Sequence, residues 1–207
     1  MRCIHTCKPG RLRTTPRITI DDDEAIARSL DGDLDAYAVL VARYTAPAHR
    51  AAFLLGAGDE VDDVVQEAFV KAFRHLSRFR TGEPFAPWLL RIVVNETKNL
   101  SRSRRRRAGL AVRLLTTEPG DVHLAGDGPT DQVLAGERRS ELLAAIGALP
   151  DKERQAVICR YFLELTEAET AQVLQWPRGS VKSRTFRALG RLRGLLTVAP
   201  GEEATGG

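Results

Sequence analysis

The chain has 207 residues, 43% of them hydrophobic, and a formal net charge of +4, enough apolar material to bury a core and too much for a wholly disordered chain. It has no run of 18 apolar residues and no apolar leader at its start, which excludes a bilayer-spanning helix and a secretory signal and makes a cytoplasmic location the expectation. Three cysteines, Cys3, Cys7 and Cys159, are too few and too scattered for a disulfide framework.

Residues 1–20 are basic, contain proline and show no period, so they read as a disordered arm or the product of an upstream start codon. The segment CIHTC offers Cys3, His5 and Cys7, but its spacing is not that of a zinc pair and no second pair follows, so no metal is expected. From Asp21 to Arg107 the pattern is helical, punctuated at Asp31-Gly32-Asp33, Gly56-Ala57-Gly58 and Thr81-Gly82-Glu83-Pro84, which gives roughly four helices.

One of these helices is predicted over 61–79, VDDVVQEAFVKAFRHLSRF, with Val61, Val64, Val65, Ala68, Ala72 and Leu76 on its buried face. Outside that face fall Asp62, Asp63, Gln66, Glu67, Val70, Phe73 and Arg74. Val70 and Phe73 amid acids and an amide leave two readings. They form a surface for a basic, partly apolar partner, or Phe73 packs on the helix that follows.

That following helix lies within 83–107, EPFAPWLLRIVVNETKNLSRSRRRR, starting near Pro87, where a proline suits the first turn. Leu89, Leu90, Val93, Val94 and Leu100 form its apolar side; Trp88, Arg91, Asn95, Lys98, Asn99, Arg102, Arg105 and Arg106 form the opposite stripe. Such a stripe suits single-stranded nucleic acid, because an indole stacks on an unpaired base, amides read base edges and cations track phosphates. Packing of Trp88 into the core is the alternative.

Charge is segregated along the chain. Residues 21–100 carry 14 acids against 9 bases, whereas 101–113 carry six arginines and no acid. Residues 116–136 hold Glu118, Asp121, Asp127 and Asp131 without a base, and 177–193 then hold six cations without an acid. Two basic islands split by an acidic strip suggest two polyanion contacts.

The acidic strip begins with TTEPGDVHLAGDGPTD, rich in Gly, Pro and Asp and without period, a linker composition. Helical pattern resumes over 132–149 and 151–163, the latter placing Cys159 in an apolar run as a small core residue. Thr166 and Glu169 have the spacing of a capping box, which starts a helix that runs to about Leu174. Pro177 ends that pattern, and a basic helix begins between Pro177 and Ser180. Helix, tight turn and basic helix make a helix-turn-helix. On the basic helix Val181, Ala188, Leu189, Leu192, Leu195 and Leu196 face inward; Ser183, Gly190 and Gly194 face outward between Arg184, Arg187 and Arg191 on one side and Lys182 and Arg193 on the other. Small residues between basic rails let a backbone come close while guanidinium groups reach phosphates or guanine edges. A merely solvated basic face is the alternative. Phe186 also points outward, toward a thymine methyl or a neighbouring element.

The fold expected is all-α: two small helical domains joined by a flexible linker, the C-terminal one containing the helix-turn-helix. The boundaries are a basic arm 1–20, a first domain 21–107, a linker 108–136, a second domain 137–198 and a tail 199–207.

These segments together resemble the extracytoplasmic-function class of bacterial RNA polymerase sigma factors, over about 25–107 and 137–196. DEVDDVVQEAFVKAF resembles the helix that binds core polymerase, which implies contacts for Asp62, Asp63, Gln66, Glu67, Val70 and Phe73. FAPWLLRIVVNETKNLSRSRRRR resembles the helix that captures the melted minus-ten element, implying roles for Trp88, Arg91, Asn95, Lys98, Asn99, Arg102 and Arg105. The segment from Leu149 to Arg193 resembles the domain that reads the minus-thirty-five element. GSVKSR is its most specific piece, and the implied DNA contacts are Arg178, Ser180, Lys182, Ser183, Arg184, Phe186, Arg187 and Arg191.

The chain departs from the family at Gln175, where a turn glycine is usual, at Thr170 and Thr185, where core aliphatics are usual, and at Phe186, often a histidine. A looser turn, a less stable C-terminal domain and an unusual promoter preference follow. The resemblance implies core RNA polymerase, promoter DNA and an anti-sigma factor as partners, no cofactor, and a linker that threads near the polymerase active centre. Two competing readings are a stand-alone helix-turn-helix regulator, which leaves the Trp88 stripe and the Phe73 patch without a role, and an enzyme. For an enzyme the sequence offers no metal constellation, no phosphate-cradling glycine loop and no nucleophile with its base.

Overall fold

The computed structural model describes residues 20–80, 82–112 and 131–197. They form eight α-helices: α1 (Asp22–Leu30), α2 (Leu34–Leu54), α3 (Val61–Arg74), α4 (Phe85–Val112), α5 (Asp131–Gly147), α6 (Asp151–Val157), α7 (Glu167–Leu174) and α8 (Arg178–Thr197). There is no strand among the described residues.

Local chemistry sets the first boundaries. Asp21 caps α1 by accepting from the Glu24 N–H at 2.8 Å, and Asp33 caps α2 by accepting from the N–H groups of Asp35 and Ala36. Between them Gly32 adopts φ +94°, a conformation that a side chain would strain. α3 ends at Arg74 rather than continuing to Phe79, and a 3₁₀ turn over Leu76–Arg78 carries the chain toward α4. α4 starts at Phe85, ahead of the expected Pro87, which still falls in the first turn, where a missing N–H goes unnoticed.

Helices α1 to α4 pack into one core around Leu40, Leu76, Phe85, Leu89, Val93 and Val94. Helices α5, α6 and α8 pack around a second, formed by Ala145, Ile146, Leu149, Val157, Ile158, Ala188 and Leu192. α6 does not run evenly to its end. Over Ile158–Phe162 it widens into a π-type turn, with the Leu163 N–H donating to the Ile158 carbonyl at 3.0 Å.

The two helical modules are present as the sequence implies, and they also pack on each other. α7 lies against α4, and Cys159, Leu165, Val173 and Leu174 are buried in continuity with the N-terminal core. Trp176 and Leu163 pack partly buried at the same seam. Burial pushes the Cys159 thiol up to about 12, as befits an inert core residue.

Among the described residues no helix is long and apolar enough to cross a membrane. No group of three or more His, Cys, Asp or Glu that could hold a metal ion occurs among them either. Cys3, His5 and Cys7, and Glu118, Asp121 and Asp127 of the acidic strip, lie outside the described residues.

Candidate nucleic-acid interface

The helix-turn-helix is built as its sequence suggests. The Glu169 N–H donates to Thr166 Oγ1 at 3.2 Å while the Thr166 N–H donates to Glu169 Oε2 at 2.7 Å, a reciprocal box at the start of α7. Gln175 ends α7 in the left-handed region, φ 57° and ψ 45°, and the Trp176 N–H then reaches the Ala171 carbonyl at 2.9 Å. The turn usually made by glycine is therefore made by glutamine, under strain. Pro177 precedes α8, and Ser180 lies inside the first turn of α8 rather than before it.

α8 buries Val181, Ala188 and Leu192 and leaves Leu189, Leu195 and Leu196 substantially exposed. The inward face is thus narrower than expected, because the helices packed on α8 cover a single stripe of it. Arg178, Lys182, Ser183, Phe186, Arg187 and Arg191 are exposed, and among the described residues Phe186 is the most open of the large apolar side chains at 79%. The Arg184 guanidinium lies over the Trp176 ring, 4.2 Å from its centroid, which fixes its direction by cation–π attraction. Arg187 and Arg191 lean toward Glu153 of α6, a residue that the helical period alone does not connect with α8.

The stripe on α4 divides in two. Trp88 is half-buried, its ring centroid 5.4 Å from that of Phe79 and 5.5 Å from that of Phe85, so it both packs on the core and edges a cleft. That cleft, about 360 Å³, is lined by Arg78, Phe79, Arg80, Trp88 and Arg91, with one acid, Glu83, and two prolines, Pro84 and Pro87, from the first module and by Gln172 of α7. Arg78 and Arg80 add two cations that the wheel of α4 could not include, since they precede it in the chain. Asn95 is half-buried, Asn99 exposed.

Further along, Lys98, Arg102 and Arg105 face a second cleft of about 330 Å³ whose opposite wall is Asp151, Lys152, Gln155 and Trp176. Burial lowers the pKa of Lys98 below its ordinary value, and Arg102 acts in the same direction. Arg105 Nη2 pairs with Asp151 Oδ2 at 3.1 Å. Arg104, out of phase with the stripe, serves the fold: it donates to Glu60 at 3.1 Å and to the carbonyls of Gly56 and Ala57.

On α3 the residues Asp62, Asp63, Gln66, Glu67, Val70 and Phe73 are all exposed along one side. The aromatic partner of Phe73 lies on α2, not α4. The Phe73 ring meets Tyr37 of α2 edge-on at 4.8 Å and remains 39% exposed. Tyr37 is held in turn by donating to the Phe69 carbonyl at 2.6 Å. Phe69, missing from the expected buried face, belongs to the core.

Two family models match this chain, sigma-70 region 2 over residues 40–107 and sigma-70 region 4 over residues 139–192. The first falls on α2 to α4, the second on α5 to α8, and together they define a sigma-70-type transcription initiation factor. The ECF RNA polymerase sigma-E factor of Escherichia coli K12 is 36% identical over 177 residues, covering 82% of this chain and 91% of that protein. The sigma-E factor of Haemophilus influenzae is 34% identical over 176 residues, with 82% and 92% covered. Similar solved structures include CnrH in complex with the cytosolic domain of CnrY, at a TM-score of 0.64 and 26% identity over 86% of this chain and 99% of that one. The sigma factor RpoE of Bartonella quintana in complex with the anti-sigma factor NepR gives 0.62 and 25%, over 77% and 96%. The chain belongs to the ECF RNA polymerase sigma factors, which bind core polymerase and direct promoter-specific initiation.

Proposed function

We propose that this sigma factor divides its work among three helices. The exposed side of α3, with Asp62, Asp63, Gln66, Glu67, Val70 and Phe73, docks on core polymerase. The stripe of α4 takes the melted minus-ten strand, with Trp88 at the base-stacking end, Asn95 and Asn99 at base edges, and Arg91, Lys98, Arg102 and Arg105 along the phosphates. α8 enters the major groove at the minus-thirty-five element, where Arg178, Ser180, Lys182, Ser183, Arg184, Phe186, Arg187 and Arg191 meet DNA. The observation that carries this reading is the order of the two matched regions on two modules that each present a basic helix. The protein is a cytoplasmic, non-catalytic specificity subunit, with an anti-sigma factor as a further partner, as its structural relatives have.

The two modules separate on the promoter. Elements centred about 25 base pairs apart span roughly 85 Å of duplex at about 3.4 Å per base pair. Helices packed side by side stand only about 10 Å apart, and α7 packed on α4 holds α8 too near for both contacts. Polymerase supplies the spacing, so the free chain binds promoter duplex weakly. Gel-shift titration of a promoter fragment with the protein alone and with core polymerase tests this. Weak binding alone and tight binding with polymerase is the expected result; tight, sequence-specific binding alone favours a stand-alone regulator.

A further inference from the structure

Glu153 occupies the first turn of α6, and its side chain is only 9% exposed. Its carboxylate faces two cations, both from α8. Arg191 Nε stands 2.8 Å from one oxygen and Arg187 Nε 3.8 Å from the other. The close approach of Arg191 lacks hydrogen-bond geometry, so Glu153 Oε2 is buried without a hydrogen-bond partner. A buried acid in this position is a poor device for stability, because desolvation offsets most of what the ion pairs return. Both arginines remain more than half exposed, so they would stay solvated if the acid were absent.

We propose that Glu153 is a positioning residue for DNA recognition, its buried negative charge drawing the guanidinium groups of Arg187 and Arg191 toward one point on α6 and so narrowing their directions before DNA arrives. This rests on the assignment of α8 to the upstream element. Both ion pairs run through Nε, which leaves Nη groups for the bidentate contact with guanine O6 and N7. Electrostatic restraint also reduces rotamer freedom before DNA arrives, so less is lost on binding. Arg187 and Arg191 are one helical turn apart, about 6 Å at 1.5 Å per residue, close to two base-pair steps of about 3.4 Å. The same negative charge, set behind the recognition surface, weakens attraction to arbitrary phosphate backbones. Glu153 therefore trades general affinity for discrimination.

The test uses full-length protein assembled with core polymerase, selecting from promoter duplexes randomised across the upstream element. R187A and R191A first identify the base positions that these arginines read. E153Q, which keeps the shape and removes the charge, is expected to flatten those same positions by roughly five- to tenfold, a bidentate contact's share of discrimination. It should leave the other upstream positions intact and bind a random-sequence duplex as tightly as wild type or tighter, with a steeper salt dependence. Preferences at those positions that survive E153Q overturn the proposal. So does a uniform loss at all positions with a lowered Tm, which marks a merely structural acid. If R187A and R191A flatten nothing, the assignment of α8 fails and the proposal falls with it, a result distinct from failure of Glu153 alone.

Discussion

Arg105 of α4 and Asp151 of α6 form an ion pair at 3.1 Å between the two modules, so a cation of the α4 stripe is engaged by the second module. The pair is open to solvent, its side chains 75% and 51% exposed, and exposed pairs contribute about 0.2–1 kcal/mol. The seam itself is apolar, with Val173 and Leu174 buried in the shared core. Arg105→Ala, which removes this pair alone, should therefore change stability by less than about 1 kcal/mol, whereas Leu174→Ala should cost about 2–5 kcal/mol. Denaturant unfolding measures both. A Leu174→Ala cost no larger than that of Arg105→Ala would contradict an apolar seam.

Separation of the modules is open to direct measurement. Dyes at Glu83→Cys and Arg193→Cys, in a chain with Cys3 and Cys7 replaced by Ser, should show strong energy transfer in the free protein. Transfer should fall when core polymerase is added. Cys159 is buried and its thiol is pushed up to about 12, so it stays unlabelled.

Gln175 sits at φ 57°, where a non-glycine L-residue is disfavoured by about 1–2 kcal/mol. Glycine removes that strain and gives back part of the gain as chain entropy. Gln175→Gly should raise stability by about 0.5–1 kcal/mol. Thermal and denaturant unfolding check it, and a loss of stability would mean that the glutamine side chain contributes more than its backbone costs.

Thr170 is fully buried, and its Oγ1 has no hydrogen-bond partner. An unsatisfied buried hydroxyl costs about 1–3 kcal/mol. Thr170→Val keeps the shape and should stabilise the protein by about 1 kcal/mol, read as a higher denaturant midpoint with an unchanged slope.

Phe73 meets Tyr37 edge-on and stays partly exposed. Loss of that aromatic contact costs about 0.5–1.5 kcal/mol of stability. As an anchor on polymerase it should count for more, roughly tenfold or greater in affinity. Phe73→Ala should weaken core binding by that factor while the protein stays folded, measured by fluorescence anisotropy with core polymerase.

The sequence disclosed what depends on neighbours along the chain. The Thr166 box, the helical periods and the two arginine-rich islands are local patterns, and α7, α8 and the stripe of α4 follow from them. Contacts between distant faces stayed hidden. Nothing local links Glu153 to Arg191 or Phe73 to Tyr37, because each depends on which helix lies opposite, and the stacking of Arg184 on Trp176 depends on how the turn before α8 folds back on it. The buried face of α8 is narrower than its wheel for the same reason: a wheel shows which residues can face inward, while the neighbouring helices decide how many do. The seam between modules had no signature either, since Val173 and Leu174 read equally well as the core of their own domain.

Run-off transcription decides whether this chain confers promoter specificity on core polymerase. Core polymerase is mixed with promoter fragments from the organism's own genome, with and without the purified protein and with no anti-sigma factor present. Discrete transcripts that require the protein, and that are lost when either promoter element is scrambled, are the expected result. Transcription that is the same with and without the protein would contradict a promoter-specificity role.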